Sequence, residues 1–294
     1  MRVGIVILPQ LRWAEQSVLW RRAEAYGFDH AWTYDHLTWD PLAGEPWGAT
    51  VPTLVAAATV TTRVRLGTWV ASPNFRHPVT FARELAALDD VSGGRAVAGI
   101  GAGGTGADAT VLGDPVLSPP DRTERLAEFL TLLDLVLTRP STTWRGRFYA
   151  AVEARTTQPC VQQPRLPFVV AANGPVTMAL AARLGRGWAT HGRPRYGADD
   201  DAAWWRGVGE LAERFDAVLA ETARDAGPVD RMLSVDGGPT FSLVSAGHFA
   251  EVVGRAAELG FTDVVAHWPT PGSRRYAAPE SVLDEVAAML PNLP

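Results

Sequence analysis

Short apolar runs closed by proline, glycine or a polar turn alternate along this chain with stretches whose apolar residues recur at helical spacing. No other feature narrows the choice of fold so far. Val3-Gly4-Ile5-Val6-Ile7-Leu8, closed by Pro9, suits a strand buried on both faces of a parallel sheet. Trp13 to Tyr26 follows with Leu19, Ala23 and Tyr26 at i, i+4, i+7, and Gly27 ends that helix. The same reading gives a second strand at His30–Tyr34, a helix at Pro52–Thr61 and a third strand at Val64–Val70. A helix marked by Phe81, Leu85 and Leu88 stops at Ser92-Gly93-Gly94, and the fourth strand is Ala96–Ile100. Leu126, Leu130, Leu133 and Leu137 line one face of a long helix. Thr138–Pro167 breaks the rhythm and reads as an insertion, a hairpin over a rim. Strands at Phe168–Ala172 and Gly187–His191 enclose a helix at Pro175–Leu184, and a long helix covers Trp204–Ala226. The seventh strand is either Leu233–Val235 or Thr240–Val244. The helix His248–Leu259, the eighth strand Asp263–Ala266 and a helix on Val282, Val286 and Met289 complete the chain.

Roughly eight strand–helix units in 294 residues predict an α/β fold, a (β/α)8 barrel in one domain over 1–294 with an insertion after the fourth helix. A doubly wound open sheet is the competing arrangement. With 47% hydrophobic and 20% charged residues, the chain can build a substantial core. Its net charge of −5 gives no basic footprint for nucleic acid. The lone Cys160 fits a reducing cytoplasm. Pro9, Arg12 and Glu15 interrupt the first apolar run too early for a signal peptide, and no window reaches the roughly 20 apolar residues of a membrane span. A cytoplasmic protein without membrane contact is expected.

A barrel of this kind places its chemistry at the C-terminal ends of its strands. Asp35 and His36, the turn Ala71-Ser72-Pro73-Asn74, Gly101 to Gly106, Asn173-Gly174-Pro175 and His191 all follow predicted strands; His30 precedes one and reads as structural. Asp35-His36 could cap a turn, or could orient a polar group and exchange protons near neutral pH. Trp39 offers a flat apolar wall or packs its own loop. Gly101-Ala102-Gly103-Gly104-Thr105-Gly106 matches GxGxxG, but no helix can start at those glycines before about Asp121. A dinucleotide fingerprint is therefore rejected. The loop either lets backbone approach something flat or is simply pliable. At Asn173-Gly174-Pro175-Val176-Thr177 a strand ends and a proline opens a helix, which makes an anion site or an ordinary loop. No cluster has the spacing of a metal site.

In order and at these spacings, several segments resemble the luciferase-like flavin and deazaflavin oxidoreductases. They are Gly27 to His36, Arg63 to Thr68 with Arg76-His77-Pro78, Leu88 to Arg95, and Ala171 to Pro175 with Gly185 to Trp188. The resemblance implies a barrel that binds the deazaflavin coenzyme F420, or FMN, at its C-terminal mouth. It makes His36 the proton donor or acceptor, with Asp35 and Trp39 beside it, and gives Asp35 a cofactor-positioning role. Thr68, Trp69, Val70, Ala71 and Ser72 would meet the ring, with a non-proline cis peptide at Trp69–Val70, give or take one residue. Gly101, Ala102 and Gly103 would line the cofactor; Asn173, Gly174, Pro175, Val176 and Thr177 would hold its phosphate. Pro175 has no N–H, so the donors fall to Val176 and Thr177. His191 and Arg193 are expected to face a small-molecule substrate. Relatives that oxidise sugar phosphates have Glu where this chain has Gly104, which argues against that substrate. The expected reaction is hydride transfer between the deazaflavin and a small organic molecule. An FMN-dependent monooxygenase and a non-catalytic barrel binding protein are the alternatives. Family likeness implies a homodimer.

Overall fold

The computed structural model describes all residues except 40–43, 157, 193–199 and 223–226. In chain order the elements are β1 (Arg2–Val6), α1 (Trp13–Tyr26), β2 (His30–Thr33), α2 (Thr50–Thr59), β3 (Arg65–Thr68), α3 (Pro78–Val91), β4 (Ala96–Ile100) and α4 (Pro119–Thr138). A hairpin of β5 (Thr142–Arg145) and β6 (Ala150–Ala154) follows, then β7 (Phe168–Ala171), α5 (Pro175–Leu184), β8 (Gly187–Thr190) and α6 (Asp201–Glu221). β9 (Asp230–Ser234), α7 (Ala246–Glu258), β10 (Asp263–His267) and α8 (Val282–Met289) complete the set. The strands close in the order β1-β10-β9-β8-β7-β4-β3-β2, and every pair is parallel. A closed parallel ring is the (β/α)8 barrel and excludes the open sheet.

Two apolar layers hold it together. The larger lies between strands and helices, with Trp20, Phe81, Phe129, Trp188 and Phe249 fully buried. The smaller fills the barrel: Val6, Trp32, Trp69, Val97, Val169, Ala189, Met232 and Val265. The Trp32 and Trp69 rings meet there at 4.9 Å. A barrel of eight strands has room for side chains but not for a bore. Burying each indole removes roughly 150–250 Å² from water, an upper estimate of about 4–6 kcal/mol. Gly67 makes that filling possible, because a Cβ there would lie 2.3 Å from Trp32 Cζ3. Leu8, Tyr34, Val70 and Ala171 close the barrel core at its upper end.

Several boundaries differ from the sequence reading. The seventh barrel strand is β9 over Asp230–Ser234, longer than Leu233–Val235, and the other candidate segment holds a 3-10 turn at Ser242–Val244. Pairing with both β8 and β10 selects β9, which starts with charged residues at the barrel base. β3 stops at Thr68; the Trp69–Val70 peptide is cis, and pairing resumes in a single bridge between Ala71 and Ile100. α6 is described to Glu221, so the expected continuation to Ala226 falls partly outside the described residues. The hairpin is fastened to α4 by Glu128, which accepts from Trp144 Nε1 at 3.0 Å, Phe148 N at 3.0 Å and Tyr149 N at 2.9 Å.

Candidate active site

β2 delivers Tyr34, Asp35 and His36 to the C-terminal mouth. The two ionisable neighbours separate at once. Asp35 is 1% exposed and meets Arg76 in a two-pronged pair, Nε to Oδ2 at 2.5 Å and Nη2 to Oδ1 at 2.8 Å. Arg76 also holds Glu84 at 2.7 Å and lies 4.4 Å over the Phe81 ring. A buried carboxylate needs such a fork, and this one fixes the loop. The Asp35 carboxylate is thus committed to Arg76.

His36 turns the other way. Its Nδ1 lies 2.5 Å from Asp108 Oδ2, while Asp108 Oδ1 accepts from the Leu37 and Thr38 amides at 2.9 and 2.8 Å. The Asp108 carboxylate accepts from Nδ1–H, which leaves Nε2 as the basic nitrogen. Nε2 has no hydrogen-bond partner among the described residues, and the side chain is 29% exposed. Rings surround it: Trp39 nearly parallel at 6.0 Å, Tyr34 edge-on at 5.8 Å and Trp47 at 6.1 Å. Trp47 Nε1 donates to the His36 carbonyl at 2.9 Å.

Tyr34 links this corner to a second polar array. Its hydroxyl lies 2.7 Å from His267 Nε2, and His267 Nδ1 is 2.9 Å from Asp236 Oδ2. Asp236 also accepts from the amides of His267 at 2.6 Å and Ser242 at 2.9 Å. Acceptor-only Asp236 sets the tautomer, so Nε2 accepts and Tyr34 donates. The Tyr276 ring stacks on His267 at 4.2 Å. Burial pushes the Tyr34 phenol well above its ordinary range, which keeps it protonated.

The β3 and β4 loops form the next wall. Thr68 donates its hydroxyl to the Gly99 carbonyl at 2.7 Å, so that oxygen belongs to the barrel wall. Trp69 points into the barrel core, whereas Val70 caps that core and Ala71 is fully buried. Ser72 Oγ accepts from Asn74 N at 3.1 Å. Gly103 has φ +79°, and a Cβ there would fall 2.5 Å from Ser72 Oγ and 2.6 Å from Asn74 Oδ1, so only glycine lets the two loops interlock. Gly101 packs on Val70, where a Cβ would fall 2.8 Å from Cγ2.

Asn173 joins β7 to β8: its Nδ2 donates to the Gly192 carbonyl at 3.0 Å and its Oδ1 accepts from Thr190 at 2.6 Å. Gly174 precedes α5, with Pro175 first in the helix and Val176 60% exposed. Thr177 returns its hydroxyl proton to the Gly174 carbonyl at 3.0 Å. Beyond Gly174 the space is open; an added methyl would meet nothing closer than Thr177 Oγ1 at 3.8 Å. A cavity of about 530 Å³ lies between these loops, lined by Ala102, Gly103, Asn173 and His191 and, from the start of α4, by Pro119, Arg122 and Thr123. Arg122 donates to the Gly103 carbonyl at 3.2 Å, and its Nε is buried without a partner. An orphaned guanidinium N–H beside an open helix start fits the phosphate-bearing tail of a flat cofactor. Burial, with a smaller push from Arg275, lowers the His191 pKa and keeps it neutral. Arg193 lies outside the described residues.

Asp108, Tyr34, His267, Asp236 and Arg122 were absent from the sequence-based site. Four of them obey the strand-end rule: Tyr34 follows β2, Asp108 follows β4, Asp236 follows β9, and His267 ends β10. Among the described residues no group of three or more His, Cys, Asp or Glu could hold a metal ion, and no helix is long and apolar enough to cross a membrane.

A closed parallel barrel that gathers titratable groups round one mouth has the layout in which barrel enzymes place their active sites. The chain belongs to the luciferase-like monooxygenase family, whose model matches residues 1–236. It is 32% identical over 223 residues to the F420-dependent glucose-6-phosphate dehydrogenase of Intrasporangium calvum, covering 73% of this chain and 62% of that protein. It is 33% identical over 202 residues to the 4-hydroxyprotoasukamycin monooxygenase of Streptomyces nodosus subsp. asukaensis, covering 64% and 52%. The chain thus spans less than two-thirds of the length of these curated relatives. The coenzyme F420-dependent tetrahydromethanopterin reductase of Methanopyrus kandleri shares the fold, with a TM-score of 0.78 and 17% identity over 100% of this chain and 99% of that one.

Proposed function

We propose that this protein is an F420-dependent oxidoreductase acting on a small organic molecule. The observation that carries the reading is the His36–Asp108 pair: a histidine with one nitrogen fixed by a buried carboxylate and the other free in an aromatic corner of the mouth. Its free Nε2 can take or give the single proton that must accompany hydride transfer. Val70, Ala171 and Leu8 form the apolar floor on which a flat ring would lie. The amides of Val176 and Thr177, with Arg122, would hold the phosphate. Bound there, the deazaflavin supplies the hydride chemistry. Trp39 and Trp47 narrow the opening round His36, and Asp108 holds its ring in one tautomer. Gly104 speaks against a sugar phosphate as substrate.

The monooxygenase among the relatives supports a monooxygenase as the second reading, for which the family resemblance implies FMN. Titrating the purified protein with F420 and with FMN, followed by cofactor fluorescence, separates the two. Saturable F420 binding with none for FMN is expected; the reverse would sink the F420 reading. A screen of F420H2 oxidation against enones, imines and ketones then identifies the substrate class.

A further inference from the structure

At the face of the barrel opposite the mouth lies a pocket of about 280 Å³. We infer that it binds a small organic anion, with a phosphate or carboxylate head against Arg65 and an apolar body along Trp32, Val97, Val169 and Met232. The carboxylates of this face already have partners. Arg2 spans Asp230 and Asp263 at 2.7 Å each, His30 Nε2 lies 3.0 Å from Asp263, and Arg186 stands 3.5 Å from Asp230. Asp29 accepts from the Val3 amide at 2.8 Å.

Arg65 is the exception. Its guanidinium donates to Gln162 Oε1 at 3.4 Å and has no carboxylate within 4.0 Å among the described residues. Burial is the largest influence on it and disfavours its charge. Arg2 and Arg186 repel it, while Asp230 and Asp263 attract it. Arg63 stands on the exposed rim of the same pocket. A half-buried cation with no carboxylate in contact destabilises the folded chain, and an incoming anion reduces that cost. The wall beyond Arg65 has the opposite character. Trp32, Val97, Val169 and Met232, all buried, belong to the barrel core and present apolar surface to the pocket. A charged head beside an apolar recess selects an amphiphile, and the volume limits it to about one ring.

The test uses the full chain without cofactor. Phenyl phosphate, benzoate, inorganic phosphate and neutral benzyl alcohol are titrated by calorimetry and by thermal shift. Phenyl phosphate or benzoate is expected to bind one per chain and raise the Tm, and comparing the two decides between a phosphate and a carboxylate head. Inorganic phosphate should bind more weakly, and benzyl alcohol not at all. Arg65→Gln should weaken binding at least tenfold without lowering the Tm of the free protein, since it removes an unpaired charge. Arg122→Gln, at the mouth, should leave binding intact and so assigns the probe to the correct face. Should Arg65→Gln fail to fold, Arg63→Glu replaces it, with a loss of at least threefold. No saturable binding by the wild type, undiminished binding in both base variants, or loss only with Arg122→Gln would overturn the assignment. Loss confined to Arg122→Gln would place the probe at the phosphate site proposed at the mouth, so failure here and failure of the cofactor reading remain distinguishable.

Discussion

His36 takes its partner from across the mouth, not from the adjacent Asp35. Asp108, 72 residues away, fixes its tautomer, whereas Asp35 serves Arg76. Asp108→Asn should therefore reduce F420H2-linked turnover by about 10- to 100-fold and shift its pH profile, with the F420 Kd little changed. An unchanged pH profile would show that Asp108 only supports the loop. Tyr34→Phe removes the donor to His267 Nε2 and leaves that buried nitrogen unpartnered, a loss of roughly 1–3 kcal/mol. Urea unfolding measures it, and an equal midpoint would contradict the hydrogen-bond assignment. At this scale the sequence was legible where chemistry was local. Asp35, His36 and Trp39 stand together in it, and His36 and Trp39 do share a corner. The pairs His36–Asp108 and Tyr34–His267, 72 and 233 residues apart, depend on strand register that spacing does not encode.

Among the elements, α1 is tied to the loop before β3 by one side chain. Glu24 accepts from the amides of Thr62 at 2.9 Å, Arg63 at 2.6 Å and Val64 at 3.0 Å. Burial raises its pKa, but these donors outweigh it and hold the carboxyl down to about 2, against an ordinary 4.5. A depressed folded value stabilises the protein above about 4.5, and that contribution disappears as pH falls towards 2. Urea unfolding of Glu24→Gln across this window should show a shallower acid dependence than wild type; parallel curves would refute the cap. The start of α5 was legible because Pro175 opens it, whereas α4 begins at Pro119, two residues before the expected Asp121. β9 was obscured because Asp230 and Arg231 interrupt its apolar signal. Phe241 and Leu243, buried within and beside a 3-10 turn, imitate a strand.

For the molecule as a whole, alternation implied a parallel sheet covered by helices, and the closed ring of eight strands decides for the barrel over the open sheet. The contents of that barrel did not follow from the pattern. Gly67→Ala tests the filling directly: its methyl would press on Trp32 and on the Val97 carbonyl, 2.6 Å away. Overpacking of that kind should cost about 1–3 kcal/mol and lower the Tm, whereas an unchanged Tm would mean that Trp32 has room to move. The two indoles that meet in the barrel core act as a stopper. No solute can travel from one face to the other, so each opening can acquire or lose its own occupant through substitutions that the far side need never register.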